Sequence, residues 1–181
     1  TQIRAVIFSR RKTALCASLP SMQSVIDVSA LPKVENPGRI CILKAKWYPD
    51  LVENMATACE EILVAAGYQD IEQHVLPGSL EIPLAARDLL ARDTAKQIDA
   101  IVCLGIILKG DTIHFEMISY ECMHGLAAVM HEFQRPVIVE ILPVFEMQHA
   151  IDRASKDDKN KGIEAAAAAI EMVTWRRSLG Y

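Results

Sequence analysis

Residues 100–108, AIVCLGIIL, carry no polar side chain, and this run constrains the fold more than any other feature of the chain. It is far shorter than the ~20 apolar residues a membrane span requires. It reads instead as a strand covered on both faces, the pattern of a central strand in a parallel sheet. Parallel strands need crossover connections, and the flanking sequence has the periodicity to supply them. RICILKA (39–45) reads as a strand, 49–66 as a helix ended by Gly67, IEQHVL (71–76) as a strand broken by Pro77-Gly78, and 83–92 as a helix with proline in its first turn. After the central run come a helix over 115–133, a strand RPVIVEIL (135–142), a helix over 146–154, the charged loop SKDDKNKG and a last helix to 178. The order βαβαβαβαα predicts an α/β three-layer sandwich, a parallel sheet between two layers of helices.

In such sheets ligands bind beyond the carboxyl ends of the strands. Four segments therefore hold the candidate chemistry: KAKWYPD (44–50), LPGSLEIP (76–83), LKGDTIHF (108–115) and EILPVFE (140–146). At Lys109-Gly110-Asp111-Thr112 the chain turns from strand to helix. Glycine permits close approach of a ligand, and amides at a helix amino end favour a phosphate. On spacing alone the same turn also reads as an ordinary cap, with Asp111 or Thr112 closing the helix. His114 falls in the first helical turn, where the dipole disfavours an imidazolium, and a neutral imidazole there can take and return protons near pH 7. Ser79 and Glu81 stand between two prolines that stiffen their loop, a setting suited to a polyhydroxyl or amide-rich ligand, although Glu81 also fits a helix amino end. Trp47 offers a stacking platform or a core aromatic. Arg153, just before the charged loop, is placed for a bidentate phosphate contact or for solvent. The alanines at 165–169 read as close helix packing and are given no chemistry.

The remaining composition serves mainly to exclude. A net charge of −4 and a pI near 5.7 give no basic field for nucleic acid, and no run is long enough for a membrane. With 51% apolar residues in 181, the chain fills one core, so the division is an N-terminal arm or extension at 1–37 and one domain at 38–181. The five cysteines show neither paired nor metal-ligand spacing and read as reduced thiols, with Cys41 and Cys103 buried as small hydrophobes. No metal site is suggested. Four basic residues precede the first acid, Asp27, a composition shared with organelle targeting segments; IRAVIF (3–8) also has the pattern of a strand added to a neighbouring sheet edge. The expected location is cytoplasmic, or organellar if 1–37 derives from a targeting segment.

Taken together, PGSLEIPLAAR (77–87), LGIILKGDTIHFEMIS (104–119), PVI (136–138), AIDRA (150–154) and NKGIEAAAAAIEM (160–172) resemble the 6,7-dimethyl-8-ribityllumazine synthase family, over about residues 38–176 and in the right order. The resemblance implies a four-stranded, flavodoxin-like parallel sheet flanked by helices. It implies a homo-oligomer, a pentamer or a shell of pentamers, with active sites between subunits. The implied reaction joins 5-amino-6-(D-ribitylamino)uracil to 3,4-dihydroxy-2-butanone 4-phosphate without cofactor or metal. Carried over by position, Trp47 stacks on the pyrimidine, Ser79, Leu80 and Glu81 hold the ribityl side, Ile106, Ile107 and Leu108 meet the uracil through backbone, and Val139 takes the place of an aromatic that reaches a neighbour's site. Gly110, Asp111 and Thr112 hold the phosphate with Arg153 as side-chain partner, and His114 moves protons.

Several positions depart from the family pattern. Tyr48 stands for a polar residue, often Asn, Leu80 for an aromatic, Lys109 for Arg, and Asp157 for a common Lys. Pro143-Val144 replaces a Thr-rich pair, and Glu140 stands where Gly is usual. An acid at a buried strand exit needs a partner or a raised pKa. These departures motivate a rival expectation, a flavin- or lumazine-binding or shell-forming homologue with little synthase activity. A different phosphate-handling enzyme on the same general fold accounts for GDTIH alone.

Overall fold

A computed structural model describes residues 26–181, and the expected IRAVIF strand lies outside them. Four strands, β1 (Arg39–Ala45), β2 (Asp70–Leu76), β3 (Ile98–Leu108) and β4 (Val137–Val144), form one parallel sheet in the order β2-β1-β3-β4. Five helices connect or cover them: α1 (Pro49–Ala66), α2 (Ile82–Arg92), α3 (His114–Phe133), α4 (Met147–Arg153) and α5 (Lys161–Ser178). The apolar run lies in β3, the second strand from one edge, paired with β1 on one side and β4 on the other, and all of the run but Leu108 is buried. The fold is the α/β three-layer arrangement expected from that run.

Alternation along the strands divides the core in two. Ile40, Ile42, Val102 and Leu104 face α1 and α5, with Met55, Leu63 and Ile170 packed on them. Cys41, Leu43, Ile101 and Cys103 face α2 and α3, with Ile82, Leu126 and Val129. Cys41, Cys59, Cys103 and Cys122 are all buried. Burial pushes the thiols of Cys41 and Cys59 up to about 12 and that of Cys122 up to about 11, and raises Cys103 as well. These thiols stay protonated and fill space.

The alanine run lies on α5, with Ala165, Ala166, Ala167 and Ala169 buried. Small side chains allow α5 to come backbone-close to α1, and at Gly162 a Cβ would stand 1.9 Å from the Met55 carbonyl oxygen. Away from the strand exits, Asp99 ties the entry to β1 to the rest of the molecule by accepting from the Gly38 N–H (2.8 Å), the Tyr68 hydroxyl (3.2 Å) and Arg177 Nη2 (2.8 Å). Val34 is buried beyond it, its N–H donating to the Ala66 carbonyl at 2.9 Å.

One expectation needs correction. The last strand does not end at residue 142; it runs through Pro143 to Val144, so Glu140 is mid-strand, opposite Leu104, and not at the exit. Proline lacks a ladder donor, but β4 is an edge strand, where that loss costs nothing on the unpaired side. Among the described residues, no helix is long and apolar enough to cross a membrane.

Candidate active site

In a sheet ordered β2-β1-β3-β4 the winding changes direction between β1 and β3, and the crevice beyond those strand ends is where doubly wound folds bind ligands. A cavity of 490 Å³ opens there. Its walls are the β1 exit (Trp47, Tyr48), the loop after β2 (residues 77–81), the end of β3 (residues 106–108) and the turn into α3 (Gly110, Thr112, His114). That volume suits a small-molecule ligand.

Each wall is held by local chemistry. Trp47 is 61% exposed, so its indole is available to a planar ligand and is not a core aromatic. Tyr48 caps α1 with φ 57°, a left-handed conformation that costs a bulky residue roughly 1–2 kcal/mol and that asparagine tolerates better. This gives a physical reason for the polar residue that the family resemblance led one to expect at Tyr48. Gly78 admits two groups at once: a Cβ there would lie 2.9 Å from Glu81 Oε2 and 3.6 Å from Trp47 Nε1. The Glu81 carboxylate and the indole N–H therefore share one edge of the cavity.

Ser79 is buried at 6% exposure, and a Cβ on Gly105 of β3 would stand 3.0 Å from its hydroxyl oxygen. The Cys122 thiol, on α3, donates to the Ser79 carbonyl at 3.1 Å. The loop is thus pinned from both the sheet and the helix. At the third wall, His114 is the first residue of α3 and is exposed to the cavity. Neither Asp111 nor Thr112 closes the helix as a cap: Ile113 holds that place without a side-chain bond, and Thr112 Oγ1 receives the His114 N–H only at 3.4 Å. A Cβ on Gly110 would meet nothing within 4 Å, so the space above the turn is open.

Of the residues singled out from sequence, Trp47, Ser79, Leu80, Glu81, Ile106, Ile107, Leu108, Gly110, Thr112 and His114 come together around this cavity. Asp111 shares the turn, exposed, but is not in the lining. Val139 is in the middle of β4, half-buried against the α2–α3 side of the core. Arg153 ends α4, where its Nη1 donates to the His149 carbonyl at 3.0 Å; it does not reach its own chain's cavity. Sequence reading passed over Gly78, Phe115 and Ile118 as lining residues. Ile118 was legible in principle, since it follows His114 by four residues on a helix and shares its face.

The family model described as 6,7-dimethyl-8-ribityllumazine synthase matches residues 37–177. The chain belongs to that family. Membership supports a part in riboflavin biosynthesis and a transferase-type enzyme.

Glu140 remains the departure with the largest electrostatic consequence. It faces the α5 side, near Lys161 and Glu164, which are themselves an ion pair on the first turn of α5. Burial pushes its carboxyl up to about 7, with Glu164 adding to the rise and Lys161 opposing it. A carboxyl whose folded value lies above its unfolded 4.5 makes the folded state the stronger proton binder. The stabilisation is therefore present at acid pH and is lost as pH rises through about 7. Glu140→Gln is expected to flatten that slope and, near pH 8, to be more stable than the parent by on the order of 2 kcal/mol. Urea denaturation from about pH 5 to about pH 8 measures it; parallel profiles for the two proteins would remove Glu140 as the cause.

Proposed function

We propose that this chain condenses 5-amino-6-(D-ribitylamino)uracil with 3,4-dihydroxy-2-butanone 4-phosphate to 6,7-dimethyl-8-ribityllumazine, releasing phosphate and water. The observation that carries the reading is the convergence of an exposed indole, a pinned Ser-Leu-Glu loop, a strand end and an open phosphate-type turn with His114 on one cavity. Trp47 stacks on the pyrimidine, the backbone of Ile106, Ile107 and Leu108 fixes its edge, and Ser79, Leu80 and Glu81 receive the ribityl chain. The free amides of Gly110, Asp111 and Thr112 take the phosphate.

The chemistry matches what those groups can do. The 5-amino group attacks the ketone, and loss of water gives an imine. Removal of the proton beside it gives an enamine, which expels phosphate. Tautomerisation leaves a second carbonyl, and the ribitylamino nitrogen closes the ring on it with loss of another water. His114 serves the proton transfers. Holding the two reactants in register supplies most of the acceleration, since the steps need no covalent help from protein. No cofactor or metal enters the scheme.

Arg153 and Val139 stand away from their own chain's cavity, which supports a site completed by an adjacent subunit of a pentamer or pentamer-based shell. Mixing the purified protein with both substrates is expected to produce lumazine absorbance and fluorescence; a rate no higher than the uncatalysed background overturns the reading. Tight lumazine or riboflavin binding without turnover would favour the binding homologue instead, a reading to which the strained Tyr48 in the lining lends weight. Light scattering gives the assembly, and a monomer at working concentration contradicts a shared site.

A further inference from the structure

The turn between β3 and α3 is tied to the molecule by very little. The Lys109 N–H donates to the Val144 carbonyl (2.8 Å) just before it, and the Met117 N–H to the Ile113 carbonyl (3.1 Å) just after it. Among the described residues, the amides of Gly110, Asp111 and Thr112 have no protein partner, and the turn's own bond is the 3.4 Å contact from the His114 N–H to Thr112 Oγ1. A segment so sparsely bonded has no intrinsic reason to hold one shape.

One side-chain pair spans it. Lys109 and Glu116, on either side of the turn, form an ion pair. The Lys109 ammonium also sits 5.1 Å from the centroid of the Phe115 ring, and Phe115 packs at 5.9 Å on Phe145, beyond the end of β4. Phe115 lines the cavity, whereas Lys109 and Glu116 are outside its lining. Glu116 Oε2 is shielded from solvent without a hydrogen-bond partner, an arrangement that costs about 1–3 kcal/mol. An ion pair with side chains 33% and 39% exposed is worth only about 0–1 kcal/mol, too little to justify that cost as stability. A pair whose task is geometry accounts for both facts.

We propose that Lys109 and Glu116 are positioning residues, whose ion pair clamps the turn at 110–112 in the shape that presents its free amides to a substrate phosphate. The pair acts through the turn and touches no atom of the substrate. The inference rests on the proposed reaction and names what prepares its phosphate subsite. Without the clamp, ordering the turn becomes part of the cost of binding, and that cost falls on the phosphate-bearing substrate alone.

The test compares Glu116→Gln, Lys109→Met, the double variant and Lys109→Arg in steady-state kinetics with each substrate varied in turn. Glu116→Gln and Lys109→Met are each expected to raise KM for the butanone phosphate about tenfold and KM for the pyrimidine by less than about twofold, the double variant being no worse than either single one. Lys109→Arg, which keeps the charge, is expected to stay near the parent. A pyrimidine KM that rises as much as the other, no change in either, or single effects that add would overturn the clamp. Hydrogen exchange of the segment 109–117 separates this inference from the reaction it rests on. Should the parent protein make no lumazine, the reaction reading falls, and the clamp is judged on exchange of the bonded Lys109 and Met117 amides that flank the turn: faster exchange of these in Glu116→Gln upholds it and unchanged exchange overturns it.

Discussion

Replacing His114 by alanine is expected to lower turnover by about 10²-fold or more, the usual contribution of a positioned proton-transfer group, while KM for either substrate moves by less than about threefold. The side chain is exposed at the cavity rim and packs in neither half of the core, so the fold has no need of it. Its removal leaves the stacking indole, the Ser79 loop and the free amides in place. A residual rate well above background is therefore expected, because positioning of the two reactants survives. The measurement is steady-state kinetics with each substrate varied in turn, with light scattering on the same sample. Turnover within about threefold of the parent, with assembly intact, would exclude His114 from the proton transfers.

Gly162→Ala is expected to destabilise the protein by about 3 kcal/mol, and here two effects oppose each other. Gly162 lies in the first turn of α5, where alanine is intrinsically the better helix former by about 1 kcal/mol. Against this, the new Cβ would stand 1.9 Å from the Met55 carbonyl oxygen and 2.7 Å from its carbon, atoms of a rigid helix backbone that cannot rotate away. The helix α5 has to lift from α1, and the alanine seam that depends on their close approach opens with it. Sterics win over propensity. Calorimetry is expected to show the midpoint falling by about 6–12 °C, the shift that such a loss produces in a domain of this size. Gly110→Ala is the control: with open space around it, the same substitution is expected to change stability by less than about 0.5 kcal/mol. A gain in stability at Gly162 would show that the two helices are not held as close as the structure has them.

Much of the site was readable because its parts are local. Strand ends, the helix starts and the prolines around Ser79 and Glu81 are written in stretches of a few residues, and each exit segment named from sequence contains the point where the chain leaves the sheet, although β4 runs two residues further than expected. That miss has a local cause with a non-local remedy. Pro143 reads as a strand stop, but β4 is an edge strand and tolerates it, and nothing in the neighbouring residues says which strand will be at an edge. The cap expected of Asp111 or Thr112 is absent, and the ion pair of Lys109 and Glu116 that spans the turn is a side-chain contact that hydrophobic periodicity does not encode.

The sequence by itself determined the alternation of strands and helices, the double-sided burial of residues 100–108 and the set of residue types at the strand exits, since these follow from periods of two and 3.6 residues and from turn chemistry. Only the tertiary structure decided which exits meet. The order β2-β1-β3-β4 sets the ends of β1 and β3 side by side, brings the loop after β2 over them, and brings the end of β4 to the turn through the Val144 carbonyl on the Lys109 N–H and Phe145 against Phe115. It also decided that Glu140 faces Lys161 and Glu164, and that the Cys122 thiol reaches the Ser79 carbonyl across 43 positions of sequence. Those contacts depend on how distant segments close on one another, and the packing of the whole sheet and its two helix layers selects that closure.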